Sequence, residues 1–301
     1  MGYNKGMLVF SGSSNKGLDK SLAKELKSRL GEIELSAFAN NELKIRVKEK
    51  NISEKAIIVQ SLSEPVNHHL IELLLISDGL KRLGVKEILG VIPYMGYSKQ
   101  DKVFRQGEPL SMEVIAKILD TAGFRKIITF DLHNPDSIKF FKTPVINLSA
   151  KERLLKYFQK EVDKNTVIIS PDAGAVRSAE RLAKRLEVKA VYIDKQRDLK
   201  TGKVEVKGIE GEVREKNGLI VDDMLATGGT LVKTAEFLRK KGIQSIKVGV
   251  IHHLYVKGAQ ERINKSMIDE LIVTDTVEQK EKSKKLKVIS VVDLIVKEIS
   301  S

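Results

Sequence analysis

The stretch Leu219-Ile-Val-Asp-Asp-Met-Leu-Ala-Thr-Gly-Gly-Thr230 decides how this chain is read. Three apolar residues, two adjacent carboxylates and a Thr-Gly-Gly-Thr turn lead into residues 231–241, which have a helical pattern. A parallel strand buried on both faces requires a short continuous apolar run. A helix N-terminus presents free backbone N–H groups and the positive end of a dipole, both suited to a phosphate. Gly228 and Gly229 let the backbone curl around an anion, and Thr227 and Thr230 add hydroxyl donors. Asp222 and Asp223 cannot bind phosphate themselves. Beside a phosphate cradle they suit sugar hydroxyls or a metal. The predicted order is buried strand, acidic loop and helix N-terminus, and the loop reads as a site for a phosphorylated sugar.

At 301 residues the chain is long for a single core, and two domains of about 150 residues are the default. Hydrophobic residues at 42% with charged residues at 31% fit a soluble globular protein. There is no cysteine, which excludes disulfides and thiolate metal sites and is compatible with a reducing, cytoplasmic setting. The N-terminal residues lack the apolar core of a signal peptide, and no apolar stretch is long enough to span a membrane. The net charge of +13 raises nucleic-acid binding as a question. Lys and Arg are scattered among Glu, and aromatic residues at 5% are too few for a base-stacking platform. The charge is therefore read as a solvated surface with a site for polyanionic small substrates, with no nucleic-acid and no membrane partner.

Strand-like and helix-like segments alternate along the chain. Residues 7–11, 56–60, 88–92 and 127–130 are short apolar runs, with amphipathic segments at 17–30, 66–83 and 111–121 between them. The pattern restarts after Asn147. Residues 167–169, 190–193, 219–221, 246–251 and 271–273 read as strands, and 175–186 and 230–241 as helices. Such alternation predicts an α/β protein with mainly parallel sheets flanked by helices. Its appearing twice predicts two similar domains, residues 1–148 and 149–301. Residues 288–299 read as a last helix expected to pack back on the first domain.

Open α/β sheets bind ligands beyond the carboxyl ends of their strands, and polar clusters fall there. They are Phe38-Ala-Asn-Asn-Glu42, Tyr97-Ser-Lys-Gln-Asp-Lys102, Phe130-Asp-Leu-His133 and Ser170-Pro-Asp-Ala-Gly174. Taken singly, each reads more readily as structure than as chemistry. A histidine near a strand end is usually a hydrogen-bonding partner, and Lys99 with Lys102 alone would be a solvated charge run.

The acidic run and Thr-Gly-Gly-Thr turn are similar to the phosphoribosyl-diphosphate (PRPP) loop of the type I phosphoribosyltransferase fold. One position departs: Ala226 stands where most members carry Asp. Phe-x-Asn-x-Glu, Tyr-x-Lys-Gln-Asp-Lys, Pro-Leu-Ser, Asp-Leu-His, Ser-Pro-Asp-x-Gly and Asp-Lys-x-Arg occur in order with that loop. Together, from residue 7 to about 299, they resemble the ribose-phosphate diphosphokinase (PRPP synthase) family. The resemblance implies two tandem phosphoribosyltransferase-like domains, the first on the ATP and oligomer side and the second carrying the PRPP loop. It implies transfer of the diphosphate of Mg-ATP to the anomeric hydroxyl of ribose 5-phosphate, with release of AMP. It also implies magnesium as cofactor and a homo-oligomer built from dimers.

Carried over residue by residue, Phe38, Asn40 and Glu42 match the segment that holds adenine from a neighbouring subunit. Lys99, Gln100 and Asp101 match the nucleotide-binding stretch, where Lys99 replaces the usual Arg and loses bidentate phosphate geometry. His133 and Asp172 match the magnesium-linked positions, and His133 also borders the ATP. Asp222 and Asp223 match the residues on the ribose hydroxyls, and Thr227, Gly228, Gly229 and Thr230 match the 5-phosphate cradle. Lys195 and Arg197 match the catalytic flexible loop, followed by a polar, glycine-containing segment suited to a closing lid. There is no Walker A sequence, so the ATP site is not of the P-loop kind. The stretch 103–108 differs from the charged regulatory loop of the common allosteric class. Two alternatives stand beside this reading: a base-using phosphoribosyltransferase, and a catalytically silent regulatory subunit. The first would need one domain, and the second should have lost Lys195, Arg197 or His133.

Overall fold

The computed structural model describes residues 7–171, 175–197 and 204–301, with the backbone alone for 195–197 and 204–207. The chain divides into two compact units. The first comprises residues 1–150 with 275–278 and 290–301; the second comprises 151–274 with 279–289. Residues 290–301 thus belong to the first unit.

In the first unit the chain runs β1 (Leu8–Ser11), α1 (Lys16–Glu25), β2 (Ile33–Ala37), β3 (Leu43–Val47), β4 (Lys55–Val59), α2 (Val66–Arg82), β5 (Glu87–Val91), α3 (Ser111–Thr121) and β6 (Lys126–Phe130). A 3₁₀ turn (Pro135–Phe140) and β7 (Val145–Leu148) follow. The strands form a five-stranded sheet in the order β1-β4-β5-β6-β7, every pairing parallel. β2 and β3 form a separate antiparallel hairpin. The central strands are buried along nearly their whole length, as a sheet covered on both faces demands. On α2 the residues Leu70, Leu73, Ile76 and Leu80 recur at helical spacing and are buried in one core with Phe10, Ile58 and Ile88. Each such side chain contributes about 1.5–3 kcal/mol by leaving water.

That stripe also buries Glu72, which the sequence pattern reads as an interruption. Its carboxylate accepts hydrogen bonds from the Ser13 N–H and the Gln60 Nε2, each at 2.6 Å. Gln60, just past β4, accepts in turn from the Ser14 hydroxyl at 2.7 Å and the Ser14 N–H at 3.1 Å. A buried carboxylate is tolerated when its lone pairs are satisfied in this way. The network ties the turn after β1 to the turn after β4.

The second unit runs α4 (Lys151–Phe158), β8 (Thr166–Ser170), α5 (Val176–Leu186), β9 (Lys189–Arg197), β10 (Val204–Glu210), β11 (Asn217–Leu225), α6 (Gly229–Lys240), β12 (Ser245–His253), α7 (Ala259–Lys265), β13 (Glu270–Thr274) and β14 (Leu286–Ile289). Its sheet order is β10-β9-β8-β11-β12-β13-β14, parallel except for the β9–β10 pair. The final helix, α8 (Val292–Ser300), is in the first unit, where α1 packs against it and Lys126 meets Glu298 at 2.8 Å. The order β8-β11-β12-β13-β14 repeats β1-β4-β5-β6-β7, and the β9–β10 hairpin stands at the same chain position as β2–β3. Among the described residues no helix is long and apolar enough to cross a membrane.

Four sequence expectations differ in detail. The segment 17–30 is helical only to Glu25; Leu30 instead bridges Val9 in parallel. Residues 288–289 of the expected last helix belong instead to strand β14, because β13 offers the chain a free edge. The apolar run 219–221 belongs to a nine-residue strand that includes the acidic pair. Likewise, 190–193 lengthens to Lys189–Arg197 because β10 supplies an antiparallel partner.

Gly249 lies in β12 under the Phe158 ring; a Cβ there would come within 2.7 Å of Phe158 Cε2 and 3.0 Å of its Cζ. Gly249→Ala should lower unfolding stability by about 1–3 kcal/mol, the usual cost of overpacking. Urea unfolding measures it, and Phe158→Leu in the same chain should recover part of the loss.

Candidate active site

The acidic pair owes its position to strand register. β11 pairs with β8 only from Asn217 to Ile220, but with β12 as far as Leu225↔His253. Beyond Ile220, β11 therefore projects past β8 while still held by β12. Asp222 and Asp223 sit on this projection, half-buried, and the Asp223 N–H donates to Asp222 Oδ1 at 2.8 Å. Gly228 then takes φ +74°, a left-handed conformation open to glycine, and stands as the N-cap of α6. The N–H groups of the first helical turn have no partner within the helix. Thr227 and Thr230 are exposed, so the cradle opens to solvent on the hydroxyl side. The Arg262 guanidinium on α7 donates to the Thr227 carbonyl oxygen, and the Ile263 side chain underlies Gly228.

Around this loop lies a buried polar set that the sequence reading did not single out. His253, at the end of β12, accepts the Tyr255 N–H on Nδ1 at 3.0 Å. Its proton is therefore on Nε2, which donates to Gln260 Oε1 at 3.1 Å. The imidazole stacks on the Tyr255 ring at 3.8 Å and 3°. Burial pushes its pKa down to about 4. Two histidines at a strand end carry the same signal as His133, and that signal could have marked them. Arg262 carries none, since an arginine on a short amphipathic helix reads as solvated.

In the first unit, Asp101 accepts a hydrogen bond from Asn134 Nδ2 at 2.7 Å, which brings the 99–101 stretch to the loop bearing His133. Lys99 and His133 are exposed. Gln100 accepts from the Ser111 hydroxyl at 2.7 Å and from the Met112 N–H at 3.0 Å, so it also anchors the start of α3. Asp131 accepts from the Ala150 N–H at 2.6 Å and the Ser149 hydroxyl at 3.1 Å, which gives it a structural task. Phe38, Asn40 and Glu42 occupy the tip of the β2–β3 hairpin. Phe38 is 52% exposed, with the Lys44 Nζ 5.6 Å from its ring centroid. Asn40 Oδ1 accepts the Glu42 N–H at 3.2 Å and shapes the turn.

Lys195 and Arg197 lie on β9, with Cα partners Val206 and Val204 on β10, rather than in a loop. The sequence expectation of a loop fails because a polar strand in an antiparallel hairpin has no apolar periodicity to betray it. Asp172 lies outside the described residues.

Comparison with known proteins bears on both units. The N-terminal domain of ribose phosphate pyrophosphokinase matches residues 7–123, and the phosphoribosyl transferase domain matches residues 141–285. The ribose-phosphate pyrophosphokinase of Thermotoga maritima is 37% identical over 299 residues, covering 98% of this chain and 94% of that protein. The chain belongs to the ribose-phosphate pyrophosphokinase family. The family's enzyme from Fusobacterium nucleatum is 36% identical over 287 residues, 94% of this chain and 90% of its own. The phosphoribosylpyrophosphate synthetase of Mycobacterium smegmatis superimposes with a TM-score of 0.88 at 31% identity, over 98% of both chains. The resemblance carried by the ordered motifs, and the tandem phosphoribosyltransferase-type α/β fold it implied, are therefore those of a ribose-phosphate pyrophosphokinase.

His253 generates a pH dependence. Its folded pKa of about 4 lies below the ordinary 6.5, so the unfolded chain binds the extra proton between those values and stability falls as pH drops through that window. Between pH 7 and pH 5 the wild-type chain should lose about 2 kcal/mol from this group. In His253→Gln that portion of the slope should vanish, as read from urea unfolding at the two pH values. Equal slopes would mean that His253 is not held neutral.

Proposed function

We infer that the protein transfers the β,γ-diphosphate of ATP to the anomeric hydroxyl of ribose 5-phosphate, giving 5-phosphoribosyl 1-diphosphate and AMP. One observation carries the reading: the chain matches ribose-phosphate pyrophosphokinases through both domains over nearly its whole length. A base-using phosphoribosyltransferase would leave the first unit without a task. A silent regulatory subunit is disfavoured because Lys195, Arg197 and His133 are all present.

In this reading the α6 N-terminus and the Thr227 and Thr230 hydroxyls hold the 5-phosphate. Asp222 and Asp223 accept hydrogens from the ribose hydroxyls and fix the sugar. The anomeric oxygen then attacks the β-phosphorus, its proton departs, the bond from that phosphorus to the α-phosphate oxygen breaks, and AMP leaves with that oxygen. Charge grows on the equatorial and leaving oxygens, so catalysis is mainly positioning and electrostatics. Lys195 and Arg197 supply the compensating cations. Phe38 stacks on adenine, Asn40 and Glu42 read its edge, and Lys99, Gln100 and Asp101 complete the nucleotide side. An exposed aromatic ring at a hairpin tip fits service to a neighbouring subunit, in a homo-oligomer built from dimers. The sequence division at 148/149 corresponds, in this proposal, to an ATP and oligomer half and a sugar-phosphate half.

Magnesium takes oxygen ligands and keeps several waters, with few protein donors. Among the described residues no three His, Asp or Glu side chains gather around one point. His133, as an exposed imidazole, fits a contact to a metal-bound water, and Asp172 is the carboxylate ligand of this proposal. The bound ion would offset charge on the triphosphate. A cytoplasmic location completes the reading and is supported by the cysteine-free composition.

AMP release from ATP, ribose 5-phosphate and magnesium tests the activity directly. Lys195→Ala and Arg197→Ala should each lower kcat by about 10²–10³, the usual effect of removing a preorganised donor to transition-state charge. Their double variant should fall by less than the product of the two. Retention of most of the wild-type kcat, with unchanged melting temperature, would remove both residues from catalysis.

A further inference from the structure

We propose that Arg262 is a positioning residue for the sugar-phosphate cradle: it holds the Thr227 carbonyl so that the Gly228 N–H is turned toward the phosphate. The proposal rests on the functional reading of the PRPP loop given above and assigns a task to a residue outside that loop.

The argument is geometric. A guanidinium N–H of Arg262 donates to the Thr227 oxygen, fixing one side of the Thr227–Gly228 peptide. That peptide is trans, and a planar trans unit points its C=O and N–H in opposite directions. Anchoring the oxygen toward α7 therefore turns the Gly228 N–H away from α7. Gly228 takes φ +74°, and Ile263 Cδ1 lies 3.3 Å from where a Cβ on it would stand, so the Ile263 side chain packs beneath the glycine. Thus consecutive residues of α7 brace the loop twice, Arg262 through the carbonyl and Ile263 through packing. The guanidinium charge polarises the peptide and strengthens the N–H as a donor. An exposed glycine-rich turn without such a brace would sample other peptide orientations, and ordering it would weaken ligand binding.

A phosphate held in both ground and transition state affects KM more than kcat. Arg262→Met, which keeps the length of the side chain but has no donor, should therefore raise KM for ribose 5-phosphate about ten- to hundredfold, the range for a hydrogen bond to a charged group. Its kcat should stay within about threefold, and KM for ATP should not move. Arg262→Lys keeps one donor for the carbonyl and should recover most of the loss. Calorimetric binding of ribose 5-phosphate to the full chain gives a second readout independent of turnover. If KM for the sugar phosphate stays near wild type in Arg262→Met, the proposal is overturned. It is also overturned if both substrates weaken together, if the melting temperature collapses in both variants, or if lysine gives no rescue. If the wild-type chain forms no AMP yet binds ribose 5-phosphate, and Arg262→Met weakens that binding, the functional reading fails and the positioning role stands. If the wild-type chain neither reacts nor binds, both fall.

Discussion

The pairing of β11 with β12 beyond the last residue shared with β8 is the constraint on which the second unit depends. Backbone hydrogen bonds to one neighbour keep β11 extended through Leu225, while its pairing with β8 ends at Ile220. An acidic pair on a free loop would lose conformational entropy on binding. On a ladder it is already ordered. The same register delivers the chain to Gly228 at a fixed point, so that the helix N-terminus opens beside the carboxylates. β12 can act as a rail because it is buried from Val248 through His253. Its last residue, His253, is neutral and locked by Tyr255 and Gln260.

The parts of the fold governed by apolar periodicity were legible in the chain. Ile57, Ile58, Leu89, Ile127 and Ile128 lie in runs that only a doubly covered strand explains, and the stripe on α2 is plain apart from Glu72. Hairpins were harder. Residues 33–37 and 43–47 alternate apolar and polar side chains about an Asn40-Asn41 turn, a readable signal. Phe38, Asn40 and Glu42 at its tip carry a motif of their own, which overlies that signal. For β9–β10 no such alternation marks Lys195 to Arg197, and tertiary pairing decides the matter.

The candidate site was legible to a different degree. Residues that touch small molecules come in compact motifs, and Asp222, Asp223 and the 227–230 turn stand together in sequence as they do in space. Residues that brace the site do not. Arg262 lies 35 positions after Thr227, and nothing in its own neighbourhood marks it. Asp131 shows the converse: it sits beside His133 in a motif, yet its carboxylate serves the segment that leads to α4.

The network of Glu72, Gln60 and Ser14 bears on how a doubled plan divides its labour. Gln60 follows β4 in the first unit much as the acidic pair rides on β11 in the second. There, however, the polar atoms turn inward: Gln60 is fully buried, and a Cβ on Gly12 would collide with its side-chain oxygen at 2.1 Å. Replacing Gln60 by a carboxylate would therefore not create a sugar pocket. It would bring a second negative charge against Glu72 without the amide that now satisfies it. The turn after β4 is thus a keystone: one buried amide holds the turn after β1 and the α2 carboxylate together, and no single substitution there preserves both contacts.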